Sequence, residues 1–316
     1  MNTNSKILKK GTHSFRDDTR NNSILIYING KLYPRSQASI SVFDSGFLLG
    51  DGVWEGIRLL NGQMVFLDEH LDRLYCGAEQ LAIDIGKSRD ELAGLIQETL
   101  QANKMRTGVH LRLIVSRGMK KTPYQHPSAN TGNSSIVIIP EYKEADEKII
   151  KEGIRLVTVT TRRGTPDCQD PRINSLSKQN CIAACIEADR VGADEGIMLD
   201  IYGNVSTCNS TNFFIVRQGE VWTSRGEFCL PGVTRGAVIN LCRENEIPLL
   251  QKDFRIMDVH TSEEAFVTGT FGGIIPAVEV DGRAMSDGHR GNLTFQLQKL
   301  YSKKLRGLYP DRAQKC

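Results

Sequence analysis

The sequence predicts an α+β fold, in which strands and helices are grouped and do not alternate regularly. Two Asn-Gly pairs, at residues 29–30 and 61–62, each interrupt a β-rich run and are strong hairpin signals. Two amphipathic helical segments follow, and their apolar faces need a sheet to cover. The second half of the chain is again rich in hairpin patterns, with a few helices to pack against them.

The first half of the chain contains the elements of a small sheet with two covering helices. The runs ILIYINGKLY and VWEGIRLLNGQMVFL indicate hairpins. Asp68 is expected to cap a helix with apolar residues at helical spacing, and the Ser88-x-x-Glu91 capping box predicts a second helix. Strands are predicted at about 109–116 and 135–140.

A polar stretch, EYKEADEKIIKEG, separates this half from a second β-rich half and is the best candidate for a linker. The second half contains the strand pattern IRLVTVT, a helix near 178–191, the hairpins GIMLDIYGNV and NFFIVRQGEVWTS, a helix after GVTR, and the strands EAFVTGT and IIPAVEV. These patterns predict four segments: a flexible N-terminal tail (1–23), a small N-terminal α/β domain (24–140), a linker (141–153) and a larger C-terminal β-rich domain with helices (154–316).

Composition and charge indicate a globular protein and exclude several classes of partner. Of the 316 residues, 40% are hydrophobic and 24% are charged, as is usual for soluble domains. The 40 Lys and Arg nearly balance the 37 Asp and Glu, so nucleic acid is not an expected partner. The eight cysteines form no C-x-x-C pair, which indicates reduced thiols and no metal site. No secretory signal or bilayer-length apolar run is evident, so we expect a cytoplasmic location and no membrane partner.

Two segments have the pattern of an anion-binding site. In LPGVTRGAVINLC, a glycine and Thr234 directly precede an apolar-periodic run, so the free N–H groups at the start of that helix point at whatever lies by Val233 and Thr234. In VTGTFGGIIPA, a strand runs into Gly269 and Thr270, where missing side chains let backbone amides approach a ligand. Either segment alone is also explained by an ordinary helix cap or glycine turn.

The order of these segments resembles that of class IV (fold type IV) pyridoxal-phosphate-dependent aminotransferases, which include branched-chain and D-amino-acid aminotransferases and aminodeoxychorismate lyase. The resemblance runs from about residue 24 to residue 300 and rests on DSGFLLGDGVWEGIRLLNG, FLDEHLDRL, SRG, a basic loop, DEGIMLDIYGNVSTCNSTNFFIVRQGEVWTS, LPGVTRGAVI and TGTFGGIIPAVEVDGR. It implies a two-domain fold of the D-amino-acid aminotransferase type, pyridoxal 5′-phosphate as cofactor, and an amino acid or 2-oxo acid as the small-molecule partner. It also implies a homodimer in which a loop from the partner completes each active site.

The resemblance assigns a phosphate-binding role to Arg73, the arginine of the E-H-x-x-R segment. A guanidinium group suits this role because its fork meets phosphate oxygens bidentately. Val233, Thr234, Gly269 and Thr270 would complete the phosphate site. A surface arginine on an amphipathic helix is the alternative interpretation of Arg73.

The resemblance breaks at the position of the cofactor-binding lysine. The family has a segment of the type D-x-x-I-K-S-L, whereas this chain has DPRINSLSKQN, with Asn174 at the lysine position. An amide has no basic lone pair for imine formation and cannot accept a proton near neutral pH, so the cofactor is not expected to be bonded to Asn174. The nearest lysine, Lys178, is one helical turn further on. It is either a substitute amine or a solvent-facing helix lysine.

A second departure concerns the pyridine nitrogen of the cofactor. The family pattern V-x-E-x-x-x-x-N-x-F has a glutamate that keeps this nitrogen protonated, but here the segment is VSTCNSTNFF and Thr207 takes the glutamate position. A hydroxyl group can bond an unprotonated pyridine, but it does not stabilise the pyridinium as a carboxylate does. The cofactor would therefore withdraw electrons less strongly.

The substrate-binding residues are less clearly indicated. Arg117 in VSRG and the following loop, which contains His126, resemble the family's segments near the substrate carboxylate, and Arg112 is a further candidate. A charged strand end and a solvated loop explain the same residues equally well. Trp54 lies where several family members have a tyrosine that reaches the cofactor, but an indole N–H can only donate.

Three interpretations of the function remain open. The first is an aminotransferase in which Asn174 is an engineered replacement that traps a cofactor–substrate adduct. The second is a natural variant that catalyses a different reaction in the same pocket, such as lysis or condensation. The third is a non-catalytic binding or partner subunit. We favour a class IV aminotransferase-like protein that acts between an amino acid and a 2-oxo acid.

Overall fold

The computed structural model describes residues 11–13 and 17–311. These residues form two compact units. The N-terminal unit consists of the described parts of Asp17–Glu144, Asp170–Gln179 and Ser302–Cys316. The C-terminal unit consists of the described parts of Met1–Arg16, Ala145–Gln169 and Asn180–Tyr301. The grouping of Asp170–Gln179 with the N-terminal unit was not predicted from the sequence.

The predicted flexible tail, residues 1–23, is described only in part, since residues 1–10 and 14–16 lie outside the described residues. In the described part, Thr12 is buried. Thr19–Ser23 forms a 3-10 helix, and the side chain of Asp18 caps it.

The N-terminal unit contains a mixed set of elements that agrees with the predicted pattern. In chain order these are β1 (Leu25–Ile28), β2 (Lys31–Pro34), α1 (Ser45–Leu49), β3 (Gly52–Leu60), β4 (Gln63–Met64), α2 (Leu67–Gln80), α3 (Arg89–Ala102), β5 (Val109–Ser116) and β6 (Ser135–Tyr142). Both Asn-Gly hairpins are confirmed, because Asn29 and Asn61 have positive φ angles and the flanking strands pair. The capping box of Ser88 and Glu91 at the start of α3 is confirmed. Helix α2 begins at Leu67, so Asp68 lies in its first turn and is not its cap.

The strands of this unit form a six-stranded sheet in the order β2-β1-β6-β5-β3-β4. Successive residues of a strand face opposite sides of the sheet. On β5, the alternate residues Val109, Leu111, Leu113 and Val115 are buried in an apolar core. Arg112 lies on the other face, and so does Trp54, because it pairs with Ile114 in the neighbouring strand β3. One face of this sheet therefore packs against the apolar core. The other face carries Arg112 and Trp54, both of which the sequence indicated as possible substrate-binding residues.

The C-terminal unit is richer in strands. Its elements are α4 (Glu147–Glu152), β7 (Ile154–Thr158), α5 (Pro166–Gln169), α6 (Gln179–Arg190), β8 (Glu195–Leu199), β9 (Val205–Cys208), β10 (Asn212–Arg217), β11 (Glu220–Thr223), α7 (Val233–Glu244), β12 (Leu249–Gln251), α8 (Ile256–His260), β13 (Glu264–Gly269), β14 (Gly273–Val280), β15 (Arg283–Ala284) and α9 (Asn292–Leu308). The two predicted hairpins of this half are confirmed as β8–β9 and β10–β11. The predicted helix near 178–191 corresponds to α6.

The strands of the C-terminal unit form a nine-stranded sheet in the order β12-β11-β10-β13-β14-β7-β8-β9, with β15 attached to β14. Strand β13 lies near its centre and leads directly into the turn at Thr270. With helices and strands grouped in both units, the predicted α+β class is confirmed. None of the helices in the described part of the chain is both long and apolar enough to cross a membrane.

Candidate active site

The segment that contains Asn174 is attached to the edge of β3. Strand β4 pairs only with the last two residues of β3, so the rest of that edge is open to another segment. Trp54 N donates to Asn174 O over 3.0 Å, and Leu176 N donates to Gly52 O over 2.9 Å. These backbone hydrogen bonds fix residue 174 beside residue 54, although the two are far apart in the sequence.

Both polar atoms of the Asn174 side chain have partners, and the residue is only 3% exposed. Nδ2 donates to Trp54 O over 2.7 Å, and Oδ1 accepts from Lys178 Nζ over 3.2 Å. Helix α6 begins only at Gln179, so Lys178 reaches Asn174 across an irregular turn and not along a helix face, as its spacing had suggested. The amine of Lys178 therefore lies beside Asn174, the residue predicted to take the place of the family lysine.

Trp54 forms an aromatic surface next to Asn174. Its only donor, Nε1–H, is used in a hydrogen bond of 3.1 Å to Ser175 O. The guanidinium carbon of Arg112 lies 3.7 Å from the indole ring centroid, and Lys178 Nζ lies 5.6 Å from it. Gly56 is the cross-strand neighbour of Arg112, and a Cβ there would be 3.7 Å from Trp54 Cζ3. Two cations therefore share one aromatic ring, an arrangement suited to an anionic ligand.

Positive charge continues along this face of the sheet. By strand alternation, Lys143 follows Glu141 on the side of β6 that faces the same way as Arg112. Burial lowers the pKa of Arg112 and of Lys143, while the negative charge of Glu141 acts in the opposite direction on both. Arginine stays protonated in proteins, so Arg112 supplies a permanent positive charge on this face of the sheet.

Arg73 forms a bidentate ion pair with a buried carboxylate. Its Nε and Nη2 donate to Glu55 Oε1 and Oε2 over 2.8 and 2.6 Å. His70 Nδ1 lies 2.6 Å from Glu55 Oε2, while His70 Nε2 is buried without a hydrogen-bond partner. Burial acts to raise the pKa of Glu55, but the Arg73 charge and the hydrogen bonds from His70 and Arg73 overcome it, so the pKa lies below its ordinary value. Two of the N–H groups of Arg73, the residue predicted to bind phosphate, are thus already hydrogen-bonded to Glu55.

Two predicted substrate residues have structural partners. Arg117 donates to both oxygens of Asp51 over 2.7 and 3.0 Å, and also to the carbonyl oxygens of Leu81 and Ala82. His126 is exposed and caps the short 3-10 turn that follows it, since its Nδ1 accepts from Ser128 N over 3.1 Å. Their roles toward a substrate stay predictions, whereas Arg112, the further candidate, lies directly on Trp54.

The C-terminal unit contains the two predicted anion-binding segments. Val233 and Thr234 are the first residues of α7, which has Gly232 as its N-cap and no side chain that caps it. The N–H groups of this first turn therefore have no partner within the helix. A Cβ on Gly232 would overlap Asn212 Oδ1, so only glycine allows this close approach of helix and strand.

A buried hydroxyl without a partner lies beside this helix terminus. Thr268 is 2% exposed, and its Oγ1 has no hydrogen-bond partner. It is the cross-strand neighbour of Asn212, the residue on which Gly232 packs. Strand β13 ends at Gly269 and the chain then turns at Thr270, as predicted for the second segment. Buried hydroxyl groups are normally satisfied, so an orphan at this position is a mark of a ligand site.

Thr207, at the family glutamate position, is buried on β9 and already uses its proton. Its Oγ1 donates to Thr211 O over 2.7 Å. A hydroxyl group has one donor, so it retains only acceptor capacity for a ligand. In this rotamer Thr207 stabilises the turn between β9 and β10 and cannot donate to a pyridine nitrogen.

Glu195 was not predicted as a site residue, yet it organises the same turn. It is fully buried at the start of β8 and accepts from Ser210 Oγ over 2.8 Å and from Thr211 Oγ1 over 2.7 Å. Thr12 Oγ1, from the N-terminal segment, also donates to it. Burial raises the pKa of Glu195 to about 7, although the hydrogen bonds from Thr211 and Ser210 oppose the shift. The available signal was a lone carboxylate at the head of the apolar strand EGIML.

Comparisons with known proteins show the family and the fold of this chain. The family model described as amino-transferase class IV matches residues 52–280. Branched-chain-amino-acid aminotransferase-like protein 1 of Arabidopsis thaliana is 39% identical over 285 residues, which are 90% of this chain and 51% of that protein. A putative branched-chain-amino-acid aminotransferase of Methanocaldococcus jannaschii is 36% identical over 87% of this chain and 94% of that protein. The chain thus spans about half the length of the Arabidopsis protein and nearly all of the archaeal one.

A solved structure shows the same fold. The branched-chain aminotransferase of Thermoproteus uzoniensis with norvaline superimposes with a TM-score of 0.81 and 28% identity, over 92% of this chain and 97% of that one. The predicted two-domain architecture of fold type IV is confirmed by this match. On the strength of the family model and these relatives, the chain belongs to the class IV aminotransferase family.

Proposed function

We propose that this protein binds pyridoxal 5′-phosphate and uses it to transfer an amino group between an amino acid and a 2-oxo acid. Family membership supports this proposal, and the observation that carries it is the uncapped start of α7 beside the orphaned hydroxyl of Thr268. The expectations of a homodimer and of a cytoplasmic location rest on the family resemblance and on composition alone.

The phosphate end of the cofactor fits the C-terminal unit. The N–H groups of Val233 and Thr234 offer donors and a positive helix end to a phosphate dianion. Thr268 Oγ1 offers a further donor that has no partner within the protein. Gly269 and Thr270 bring the backbone of the following turn to the same strand end. These residues together supply hydrogen-bond donors and a positive helix end, which suits an anion.

Arg73 fits this role less directly. A phosphate group would have to share its guanidinium with Glu55, whose carboxylate already takes two of the five donors. We infer that Arg73 contributes positive charge to the phosphate while the Glu55 pair holds its orientation. Its removal would therefore affect the stability of the fold as well as the cofactor.

The amino acid end of the reaction fits the face around Trp54. When bound, pyridoxal phosphate acts as the electron sink that stabilises negative charge at the substrate α-carbon. Arg112 would hold the substrate carboxylate, since its charge is permanent and its guanidinium carbon lies 3.7 Å from the centroid of the indole ring. Thr207 would accept a hydrogen bond but donate none, so this chain would leave the pyridine nitrogen weakly supported.

A second candidate function is ligand binding without turnover. The observation that favours it is that both polar atoms of the Asn174 side chain already form hydrogen bonds within the protein, Nδ2 to Trp54 O and Oδ1 from Lys178 Nζ. A pocket of this kind is stable without any covalent bond at residue 174. The two candidates agree on cofactor binding and differ in whether an amine of the protein reacts.

The test of cofactor binding uses the buried hydroxyl of Thr268. Replacing it in Thr268→Val removes an unsatisfied polar group, so the ligand-free protein should be as stable as the wild type or more stable, by about 1 kcal/mol. The affinity for pyridoxal phosphate, measured by fluorescence titration and by thermal shift, should fall about tenfold, as expected for one lost hydrogen bond of about 1.4 kcal/mol. Pyridoxal without its phosphate should bind weakly to both proteins.

The matched control is Thr223→Val, in which a buried hydroxyl that donates to Phe213 O over 2.9 Å is removed. This variant should be less stable than the wild type but should bind the cofactor equally well. Cofactor binding that is unaffected by Thr268→Val would remove the basis for the phosphate site. Wild-type protein that shows no thermal shift with pyridoxal phosphate would contradict the proposed function itself.

A further inference from the structure

We propose that Lys178 provides the amine that reacts with the cofactor aldehyde, in place of the lysine that the family has at residue 174. This inference rests on the proposed function, because it needs pyridoxal phosphate in the site. It assigns a covalent role to a residue four positions away from the family position and a positioning role to Asn174.

The position of the Lys178 amine is the first step of the argument. Its Nζ lies 3.2 Å from Asn174 Oδ1, which is hydrogen-bonding distance from the side chain that replaces the family lysine. It also lies 5.6 Å from the centroid of the Trp54 ring. A lysine side chain that starts four residues later in the chain thus brings a primary amine to the neighbourhood of residue 174.

The second step is that the surrounding structure fixes this geometry. Asn174 is bound to Trp54 by a backbone hydrogen bond of 3.0 Å and by its side-chain Nδ2 over 2.7 Å. Because Nδ2 is committed to Trp54 O, the acceptor Oδ1 must point the other way, toward Lys178. An asparagine can fill this role because its amide carries a donor and an acceptor on one rigid plane.

The third step is the segment between the two residues. A helix from residue 174 would place Lys178 on its surface, but α6 begins only at Gln179. Ser177 Oγ donates to Gly50 O over 3.2 Å, so the chain stays attached to the start of β3 as far as residue 177. Lys178 is therefore the last residue before the helix, and it is half-buried and directed back to Asn174.

The covalent step is a condensation. The neutral amine of Lys178 attacks the aldehyde carbon, a C=N bond forms, and the carbonyl oxygen leaves as water with the two amine hydrogens. Asn174 Oδ1 accepts a hydrogen bond from the amine and so directs its lone pair. When a substrate amine takes over the carbon, Lys178 is released as a free base within reach of the same site, where it can carry a proton.

Borohydride trapping tests the inference directly. The full chain is incubated with pyridoxal phosphate, reduced with borohydride, digested and mapped by mass spectrometry. We expect a phosphopyridoxyl group on Lys178 at near one equivalent, together with a visible absorbance band before reduction. Lys121, which is exposed, serves as the internal control for nonspecific surface labelling and should remain largely unmodified.

Two variants test whether the label found in the wild type depends on the amine of Lys178. Lys178→Met should lose the label and the visible band, while pyridoxal phosphate still shifts its melting temperature through the phosphate site. The double variant with Asn174→Lys and Lys178→Met should regain one label, now at residue 174, because both amines reach the same carbon.

The outcomes separate this inference from the proposed function. Cofactor that binds and stabilises the wild type but leaves Lys178 unlabelled would overturn the inference and favour noncovalent binding. A label that persists at the same level in Lys178→Met would overturn it as well. If the wild type shows no thermal shift at all, the proposed function fails, and the mapping of lysines is no longer relevant.

Discussion

The two units each bury a glutamate completely, and the two carboxylates behave in opposite ways. Glu55 in the N-terminal unit is 0% exposed and is paired with Arg73 and His70. Glu195 in the C-terminal unit is 2% exposed and is bound by hydroxyl groups, those of Thr12, Ser210 and Thr211. The pKa of Glu55 lies below its ordinary value, whereas that of Glu195 is raised to about 7.

The difference shows that the partner, and not burial itself, decides the charge of a buried carboxylate. Burial alone destabilises the ionised form of either residue. A guanidinium group brings a full positive charge that compensates for lost hydration, whereas hydroxyl groups bring only dipoles. Glu55 is therefore an anion at neutral pH and orients Arg73, whereas Glu195 is a carboxylate that titrates near neutral pH.

The largest effect is expected when the compensating charge is removed from Glu55. In Arg73→Met the buried carboxylate loses its ion pair, which should lower the free energy of unfolding at pH 7 by about 3–5 kcal/mol. Urea denaturation of the ligand-free protein measures this. The control is Arg106→Met, because Arg106 pairs with Asp311 over 3.8 Å on the surface of the same unit and should cost less than about 1 kcal/mol. Equal losses in both variants would mean that Arg73 does not stabilise Glu55.

A smaller effect is expected when the pH is changed. The contributions of Glu195 and Glu55 to the free energy of unfolding should depend on pH in opposite directions. The pKa of Glu195 in the folded protein is about 7 against 4.5 for the free group, so its contribution to stability is complete below pH 4.5 and is lost as the pH rises through 7. Glu195→Gln removes the titrating group, so this loss is absent in the variant. Between pH 4.5 and pH 7, the free energy of unfolding of the variant should therefore rise by roughly 3 kcal/mol relative to that of the wild type.

Glu55→Gln should change the free energy of unfolding with pH in the direction opposite to that of Glu195→Gln. The pKa of Glu55 is lowered, so its contribution is present above the ordinary value of 4.5 and is lost as the pH falls through the folded-state value. This variant should therefore be least stable relative to the wild type at neutral pH and should approach it in acid. Denaturation curves of the wild type and both variants, extended from pH 8 down to well below the ordinary pKa of 4.5, measure both slopes, and slopes of the same sign would contradict the assignment of charge.

The smallest effect is expected from a single hydroxyl group on Glu195. Thr12→Val removes one donor, which should cost about 2 kcal/mol at pH 8, where the carboxylate is charged, and about 1 kcal/mol at pH 5, where it is neutral. Thr211→Val, which removes a donor from the other oxygen of the same carboxylate, should show the same dependence on pH. A cost for Thr12→Val that does not change with pH would mean that the N-terminal segment is held by packing, such as the stacking of His13 on Phe271.

Much of the local structure was predictable from short patterns. The Asn-Gly hairpins and the capping box of Ser88 formed where the sequence predicted them. Helix α7 was predicted to follow GVTR, but it begins at Val233, within that segment. Each depends on residues within a few positions of one another, because positive φ angles and capping bonds are local properties. The start of α2 was placed two residues too late for the same reason, since a first-turn Asp and a capping Asp look alike in sequence.

For the candidate site, the sequence predicted which residues belong to it but not how they interact. The sequence indicated Asn174, Trp54, Arg73 and the two glycine-containing segments, but not which groups would satisfy them. The bond from Asn174 to Trp54 spans 120 residues, and that from Arg73 to Glu55 crosses from a helix to a strand. Lys178 was expected on a helix face, whereas the late start of α6 directs its amine to Asn174.

The sequence by itself determined the family and the fold class, because these follow from the identity and order of residues. The assignment of Asn174 and Thr207 to the positions of the family lysine and glutamate rests on the same order and stays a prediction. Only the tertiary structure decided the state of each side chain: the pairing of Arg73 with Glu55, the commitment of the Thr207 proton to Thr211 O, and the proximity of Lys178 to Asn174. The physical reason is that charge, hydrogen-bond partner and reach depend on neighbours in space, and those neighbours come from distant strands of the chain.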